Sequence, residues 1–326
     1  MELKESVLKE LSQHRDTYIS GEDLAARFGV TRSAVWKCIR SLQKEGAEIV
    51  GVRNKGYRIV TGGDILSAAV IESFRKGSDP LDIRVYPSVG STNDVLKEAA
   101  LAGAKEGTVV TAEKQTAGKG RSGRRFFSPE KSGIYMSILL RPSFAAETAS
   151  LLTTAAAAAT ALAVEEVCGK SPGIKWVNDL FLDGRKICGI LTEAAMSVEN
   201  NGLEYVIVGI GLNIDRPDGD FPDEIREIAG AVYSRHEAGT EVRNRLIASI
   251  LDHFFEYYRH MDERAFAKVY RERLFFLGDT IVILRPEGIE EAVAVDITDD
   301  CHLIVEDRFG RRKELCSGEI RIKVKK

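Results

Sequence analysis

Two turn signals do most to limit the fold. Asp183-Gly184 and Asn200-Asn201-Gly202 each interrupt a run of apolar residues. Both supply residues that tolerate the positive φ a tight hairpin needs. Strands joined this way pair antiparallel, which predicts a mixed α+β sheet with helices packed on it and not a doubly wound parallel sheet. Strand-like runs at Ile83–Tyr86, Thr108–Ala112, Ile134–Leu140, Lys186–Met196 and Glu204–Ile210 are interspersed with helical patterns at Asn93–Ala102, Glu147–Val167 and Val242–Tyr258. A chain of 326 residues is long enough for two or three domains. With 44% hydrophobic residues and a net charge of −3, disorder is excluded. The longest apolar run, Leu151 to Val164, is half alanine and too short to span a bilayer. The charged start leads into no signal-type apolar core. Five scattered cysteines without a CxxC pair point to a reducing cytoplasm and against a disulfide framework. Five histidines without HExxH exclude a zinc hydrolase.

Charge is uneven along the chain. Residues 1–62 carry 11 Lys+Arg against 8 Asp+Glu, whereas the remainder carries 35 against 41. A small basic unit on a mildly acidic body suggests nucleic acid for the first part. Leu3, Val7, Leu8 and Leu11 recur at helical spacing; Ser20 then caps a short helix over Gly21–Phe28, and Gly29 turns the chain. Thr31 caps a second helix, residues 32–45, with Val35, Cys38, Ile39 and Leu42 inward and Arg32, Ser33, Trp36, Lys37 and Arg40 outward. Residues 48–59 alternate like a hairpin with Asn54 to Gly56 at its tip and Arg53, Lys55 and Arg58 on it. This is a winged helix-turn-helix pattern with a basic outer face. Trp36 has two orientations open to it, flat against a sugar-phosphate backbone or turned inward.

After a Gly62-Gly63 linker and a helix over Ile65–Phe74, three clusters carry chemistry. Glu113 to Pro129 contains Gly118, Gly120 and Gly123 with Lys119, Arg121, Arg124 and Arg125. The glycines satisfy GxGxxG, but no helix pattern follows, so the dinucleotide fingerprint fails on context; GxxxxGK[ST] is absent. A glycine-rich cationic loop is expected to stay unfolded by self-repulsion until it closes over a polyanion. The neighbouring Phe126 and Phe127 suit a nucleotide base. Lys175 to Leu180 followed by Arg185 to Leu191 folds back at Asp183-Gly184, bringing Lys186 near Asn178 and Asp179. The apolar run Val208-Gly-Ile-Gly-Leu-Asn213 ends with two glycines and an amide.

Taken together, Gly90-Ser-Thr-Asn-Asp94, Gln115 to Arg124, Ser128-Pro129, Lys175 to Leu180, Arg185-Lys186, Gly189-Ile-Leu191 and Gly209 to Asn213 resemble the bifunctional biotin protein ligases that also act as biotin operon repressors. The resemblance covers essentially the whole chain. It implies a winged helix-turn-helix over 1–62, a class II synthetase-like catalytic domain over 63–273 and an SH3-like β-barrel over 274–326. It implies a biotin site of Ser91, Thr92, Asn93, Gln115, Gly118, Lys119, Gly120, Arg121, Lys186 and Gly189. For ATP and the adenylate it implies Arg121, Arg124, Phe126, Phe127, Asn178 and Asn213. The catalytic residues would be Arg121, Lys186 and Asp179, the last as base or as magnesium partner, with no metal site built by the protein alone. Arg32, Ser33, Trp36, Lys37, Arg40, Arg53 and Lys55 would face DNA. The implied partners are ATP, magnesium, biotin, the biotin carboxyl carrier protein and operator DNA, with a homodimer forming on biotinyl-5′-AMP, and no membrane.

The tail alternates from Thr280 to Leu284, Glu291 to Val295, His302 to Glu306 and Gly318 to Ile322, as short strands of a small β module. Cys301 and Cys316 read as buried small hydrophobes. Two rival functions share these features: a DNA-binding sensor without catalysis, and a lipoate or octanoate ligase.

Overall fold

A computed structural model describes residues 3–44, 46–61, 65–144, 148–196, 202–234, 237–239, 241–285 and 288–322. The Gly62-Gly63 linker and the Asn200-Asn201 part of the second turn lie outside the described residues. The N-terminal unit comprises α1 (Leu3–Gln13), α2 (Gly21–Phe28), α3 (Arg32–Lys44) and a hairpin of β1 (Glu48–Val52) and β2 (Gly56–Thr61). Its caps follow the sequence pattern: Asp23 N–H donates to Ser20 Oγ at 3.0 Å, Gly29 takes φ 63°, and Ala34 N–H donates to Thr31 Oγ1 at 3.2 Å. Leu8, Leu11, Leu24, Val35, Ile39, Leu42 and Ile59 form a core of their own.

Next come α4 (Ala68–Phe74), β3 (Asp82–Tyr86), α5 (Thr92–Leu101), β4 (Thr108–Ala112), β5 (Gly133–Leu140), α6 (Ala149–Cys168), β6 (Gly173–Lys175), β7 (Asp179–Leu182), β8 (Arg185–Met196), β9 (Leu203–Asn213), α7 (Val242–Arg259) and α8 (Ala265–Glu272). α4 begins later than the apolar pattern suggests, because the Ser67 side chain accepts from Val70 N–H and starts the helix there. One face of α4 sends Val70 to the N-terminal core while Ile71 joins the body. Arg15, in the turn after α1, pairs with Glu241 at 2.8 Å, and the Ser67 hydroxyl donates to Glu5 at 3.2 Å. The two units are therefore packed together, not merely tethered.

The body is a seven-stranded sheet in the order β3-β4-β5-β9-β8-β7-β6. β3 and β4 run parallel and every other pair antiparallel. This is the mixed sheet that the turn residues predicted. α6 carries small or apolar residues on all sides up to Val164, as a helix buried in a core must, and its last turn, with Glu165 and Glu166, reaches the surface. By length and composition it could cross a membrane, but it is mostly buried, and Ala155 to Ala159 are fully so. The small alanines let it lie close to the sheet and to α7.

The tail forms β10 (Thr280–Arg285), β11 (Gly288–Ile297), β12 (Leu303–Glu306), β13 (Arg312–Leu315) and β14 (Glu319–Ile322). They make one antiparallel sheet in the order β13-β12-β11-β10-β14, and its Ile281, Ala294 and Leu303 share the core of the body. Cys301 is buried as expected, but Cys316 is exposed: it follows β13 in the turn before β14.

Candidate active site

The cleft arises from the period-two alternation of three central strands. On β9, Val206, Val208, Ile210 and Leu212 face the main core, while Tyr205 and Ile207 face the other side, under α5. The same side continues as Gly209, Gly211 and Asn213. Large side chains thus give way to none just where α5 begins. β5 contributes Tyr135 and Ser137 opposite these glycines, and β8 contributes Gly189 and Leu191. A Cβ at Gly209 would lie 2.3 Å from Asn93 Oδ1, and one at Gly211 would lie 2.6 Å from the Phe126 ring. The glycines therefore make room for an amide and an aromatic ring lying directly on the backbone. An open cleft of about 300 Å³ lies between them, lined by Ser91, Thr92, Asn93, Gln115, Lys119, Phe126, Gly189 and Leu191 among others.

One wall is a closed polar network. Thr92 N–H (2.9 Å) and its hydroxyl (3.1 Å) both donate to Gln115 Oε1, and Gln115 Nε2 donates to Ser128 Oγ at 2.9 Å. The Ser137 hydroxyl lies 2.6 Å from both Thr92 Oγ1 and Asn93 Oδ1, and Asn93 Nδ2 donates to Glu193 at 2.6 Å. Ser91, Thr92 and Asn93 are all buried. Such a wall holds donors and acceptors in fixed directions, which suits a small polar ring better than a flexible chain. Tyr135 lies beneath, its hydroxyl donating to Pro129 O at 2.9 Å; burial pushes its pKa up to about 12 and keeps it neutral.

The other wall is cationic. Lys186 Nζ lies 2.6 Å from Asp179 Oδ1, and its Cε and Nζ would sit 3.3 Å from a Cβ at Gly189. Lys186 is anchored by its backbone, whose N–H donates to Ile228 O at 2.8 Å. Across the mouth, Arg121 donates to Asn178 Oδ1 at 2.9 Å and to Gly318 O at 3.1 Å. Lys119 pairs with Asp94, which raises its pKa, and Arg124 pairs with Glu319 at 2.6 Å.

These pairings overturn the expectation that self-repulsion keeps the glycine loop unfolded. The loop is a folded hairpin: Phe126 N–H donates to Gly118 O at 2.9 Å and Gly120 N–H to Arg124 O at 2.8 Å. A Cβ at Gly118 would fall 2.5 Å from Phe126 O. Carboxylates of α5 and the tail pair with Lys119 and Arg124, and the carbonyl oxygens of the Asn178 side chain and Gly318 accept from Arg121; all are far away in sequence.

Of the residues expected around biotin, Ser91, Thr92, Asn93, Gln115, Lys119 and Gly189 line this cleft, and Gly118, Gly120 and Arg121 belong to the loop that carries Lys119 and Phe126. Lys186 lies outside the lining but beside Gly189, paired with Asp179, while Asn178 holds Arg121. The two aromatics part company. Phe126 lies in the cleft, whereas Phe127 meets Phe221 edge-on at 6.4 Å. Asn213 Nδ2 donates to Gly230 O at 2.9 Å, so this amide holds the 228–230 segment against β8 and β9. Sequence reasoning missed Ser137 and Glu193; the signal available was their alternation with the core residues of β5 and β8. In the N-terminal unit, Arg32, Ser33, Trp36, Lys37, Arg40, Arg53 and Lys55 are all exposed. Trp36 points outward, with the Arg40 guanidinium 5.9 Å from its ring centroid. Among the described residues no group of three or more His, Cys, Asp or Glu could hold a metal.

The profile of the biotin/lipoate A/B protein ligase family matches residues 85–213, and that of an HTH domain matches residues 4–58. The bifunctional ligase/repressor BirA of Bacillus subtilis is 35% identical over 316 residues, covering 95% of this chain and 96% of that protein. The Escherichia coli BirA is 31% identical over 60% of this chain and 59% of its own length. The Aquifex aeolicus biotin protein ligase, solved in complex with biotin and ATP, superimposes with a TM-score of 0.61 at 26% identity, covering 74% of this chain and 98% of that one. With the ligase and HTH profiles both matched and 35% identity to the Bacillus subtilis ligase/repressor over 95% of its length, the chain belongs to the bifunctional biotin protein ligase/repressor family.

Proposed function

We propose that the cleft activates biotin with ATP, giving biotinyl-5′-AMP and pyrophosphate. The biotinyl group then passes to a lysine of a biotin carboxyl carrier domain. With the adenylate bound, the helix-turn-helix represses biotin genes. The observation that carries the reading is the junction of the buried Ser91–Asn93 and Gln115 wall with the Lys186 wall across Gly189 and Gly211. A polar ring fits the first wall and a carboxylate meeting a phosphate fits the second. The biotin carboxylate attacks the α-phosphorus, and the bond to the β-phosphate breaks with its electron pair going to pyrophosphate. Two anions must approach, so Lys186 and Arg121 stabilise the charge that develops between them. In the second step an acceptor amine attacks the acyl carbon and AMP leaves, so no enzyme nucleophile is required. Asp179 holds the Lys186 ammonium over Gly189 and thereby orients it. Asp179, Glu193 and Asp94 are each engaged already, with Lys186, Asn93 and Lys119, so these residues offer no cage for magnesium. A magnesium ion would instead arrive with the nucleotide phosphates and offset their charge.

The two rivals give different results in one assay. Biotin should support ATP–pyrophosphate exchange, and lipoate and octanoate should not. Exchange supported by lipoate instead, or no exchange with any acid, would refute the reading.

Arg121 ties the loop to Asn178 and to the tail. For Arg121→Gly, adenylate release measured by stopped flow should accelerate by on the order of tenfold or more, as two hydrogen bonds to a charged group are lost. Free lysines in a bystander protein should become biotinylated. Retention equal to the parent would remove Arg121 from this role.

We also read the N-terminal unit as residues 1–62, the catalytic domain as 63–273 and the tail as an SH3-like module over 274–326, with the cytoplasm as the setting. One helix-turn-helix makes few contacts, so operator binding is read as the property of a homodimer on paired half-sites. An adenylate that favours the dimer must then tighten operator binding by linkage. In gel shifts, biotin plus ATP should raise operator affinity, and carrier protein that consumes the adenylate should lower it again. Equal affinity in both conditions would contradict the switch.

A further inference from the structure

A row of directly paired residues crosses the sheet: Lys175 on β6, Asp179 on β7, Gly189 on β8, Gly211 on β9 and Tyr135 on β5. Directly paired residues send their side chains to the same face. Lys175 therefore stands on the face of the cleft, one strand beyond Asp179, at the edge of the sheet. Its setting is unusual for a lysine. It is half-buried, and burial lowers its pKa. Its Nζ lies 5.9 Å from the centroid of the Phe181 ring, and among the described residues it makes no hydrogen bond or ion pair. The carboxylates nearby are taken: Asp179 lies 2.6 Å from Lys186, and Glu319 lies 2.6 Å from Arg124. Lys175, Lys186, Arg121, Arg124 and Arg321 thus gather near two already neutralised acids. A half-buried ammonium without an acceptor, in a region of excess positive charge, asks for an anion.

The order along the row indicates which anion. A ligand laid from the Asn93 amide past Gly211 and Gly189 reaches Lys186 first and Lys175 last. We propose that Lys175 is a phosphate-binding residue, forming with Lys186 and Arg121 a subsite for the pyrophosphate half of ATP. This deepens the ligase reading and rests on it. Lys175 stays protonated throughout. It donates hydrogen bonds to the β- and γ-phosphate oxygens and stabilises the pyrophosphate that carries away the electron pair of the broken bond. It makes no contact with the acyl group, so it has no part in the transfer to the acceptor.

The alternative role, a stem packed on Phe181, is separated by Lys175→Met, which keeps the apolar stem and removes the charge. In this variant the KM for ATP in adenylate formation and the KM for pyrophosphate in the exchange reaction should both rise about tenfold or more, the scale of hydrogen bonds to a charged group. Transfer from preformed biotinyl-5′-AMP to the carrier should stay within about twofold. Lys175→Arg should recover much of the lost affinity for pyrophosphate. Both KM values unchanged in Lys175→Met, or an equal loss in the transfer half-reaction, would overturn the subsite. A parent enzyme without biotin-dependent exchange would instead sink the ligase reading, and the subsite with it.

Discussion

Lys186→Ala is expected to reduce biotin-dependent ATP–pyrophosphate exchange by on the order of 10²–10³-fold, about 2.7–4 kcal/mol of barrier, the usual cost of removing one preorganised donor from a site of developing charge. Near-complete loss of adenylate formation is therefore the expected readout. The fold should hardly respond. Lys186 is partly exposed and its backbone bonds to Ile228 and Gly230 survive the substitution, so the melting temperature should shift by no more than about 4 °C. The loss should fall on the chemical step more than on biotin affinity, because the Ser91–Asn93 and Gln115 wall is untouched. A pyrophosphate release rate equal to that of the parent would remove Lys186 from the chemistry.

The second large effect comes from adding atoms instead of removing them. At Gly211 a Cβ would lie 2.6 Å from the Phe126 ring, closer than van der Waals contact allows. Gly211→Val must therefore push Phe126 off the sheet or fill the cleft with its own methyl groups. Overpacking of this kind costs about 1–3 kcal/mol, and here the strain falls on the loop that covers the site. Biotin affinity measured by calorimetry should weaken by on the order of tenfold to a hundredfold. Operator affinity without biotin should stay at the parental level, because the N-terminal unit has its own core. The same substitution at Gly219, where a Cβ meets nothing within 4 Å, is the matched control. If both variants bind biotin like the parent, Gly211 does not bare the site.

Much of this was legible in the residues. Asp183-Gly184 set the β7–β8 hairpin and so brought Lys186 beside Asp179. Ser20, Gly29 and Thr31 marked the helix ends of the DNA-binding unit. Other features were hidden for physical reasons. β6 has three residues, too few for any periodicity, and it is a strand because β7 pairs with it. α8 was missed because its pattern spans barely two turns, and tertiary packing of Phe266 and Tyr270 decides it. The cationic loop looked self-repelling because Asp94, Asn178, Gly318 and Glu319, which hold its side chains, are 25 to 197 residues away along the chain. Phe126 and Phe127 were indistinguishable in sequence. What separates them is that one faces glycines and the other faces Phe221, in a stretch without a readable pattern.

A crystal structure of the chain with biotinyl-5′-AMP gives the most direct test. The bicyclic ring should lie over Gly209 and Gly211 against Asn93 and Gln115, with the acyl-phosphate within hydrogen-bonding reach of Lys186 Nζ and the 115–128 hairpin closed above it. Density for the adenylate elsewhere, or Lys186 still directed at Asp179 alone with the hairpin making no contact, would contradict it.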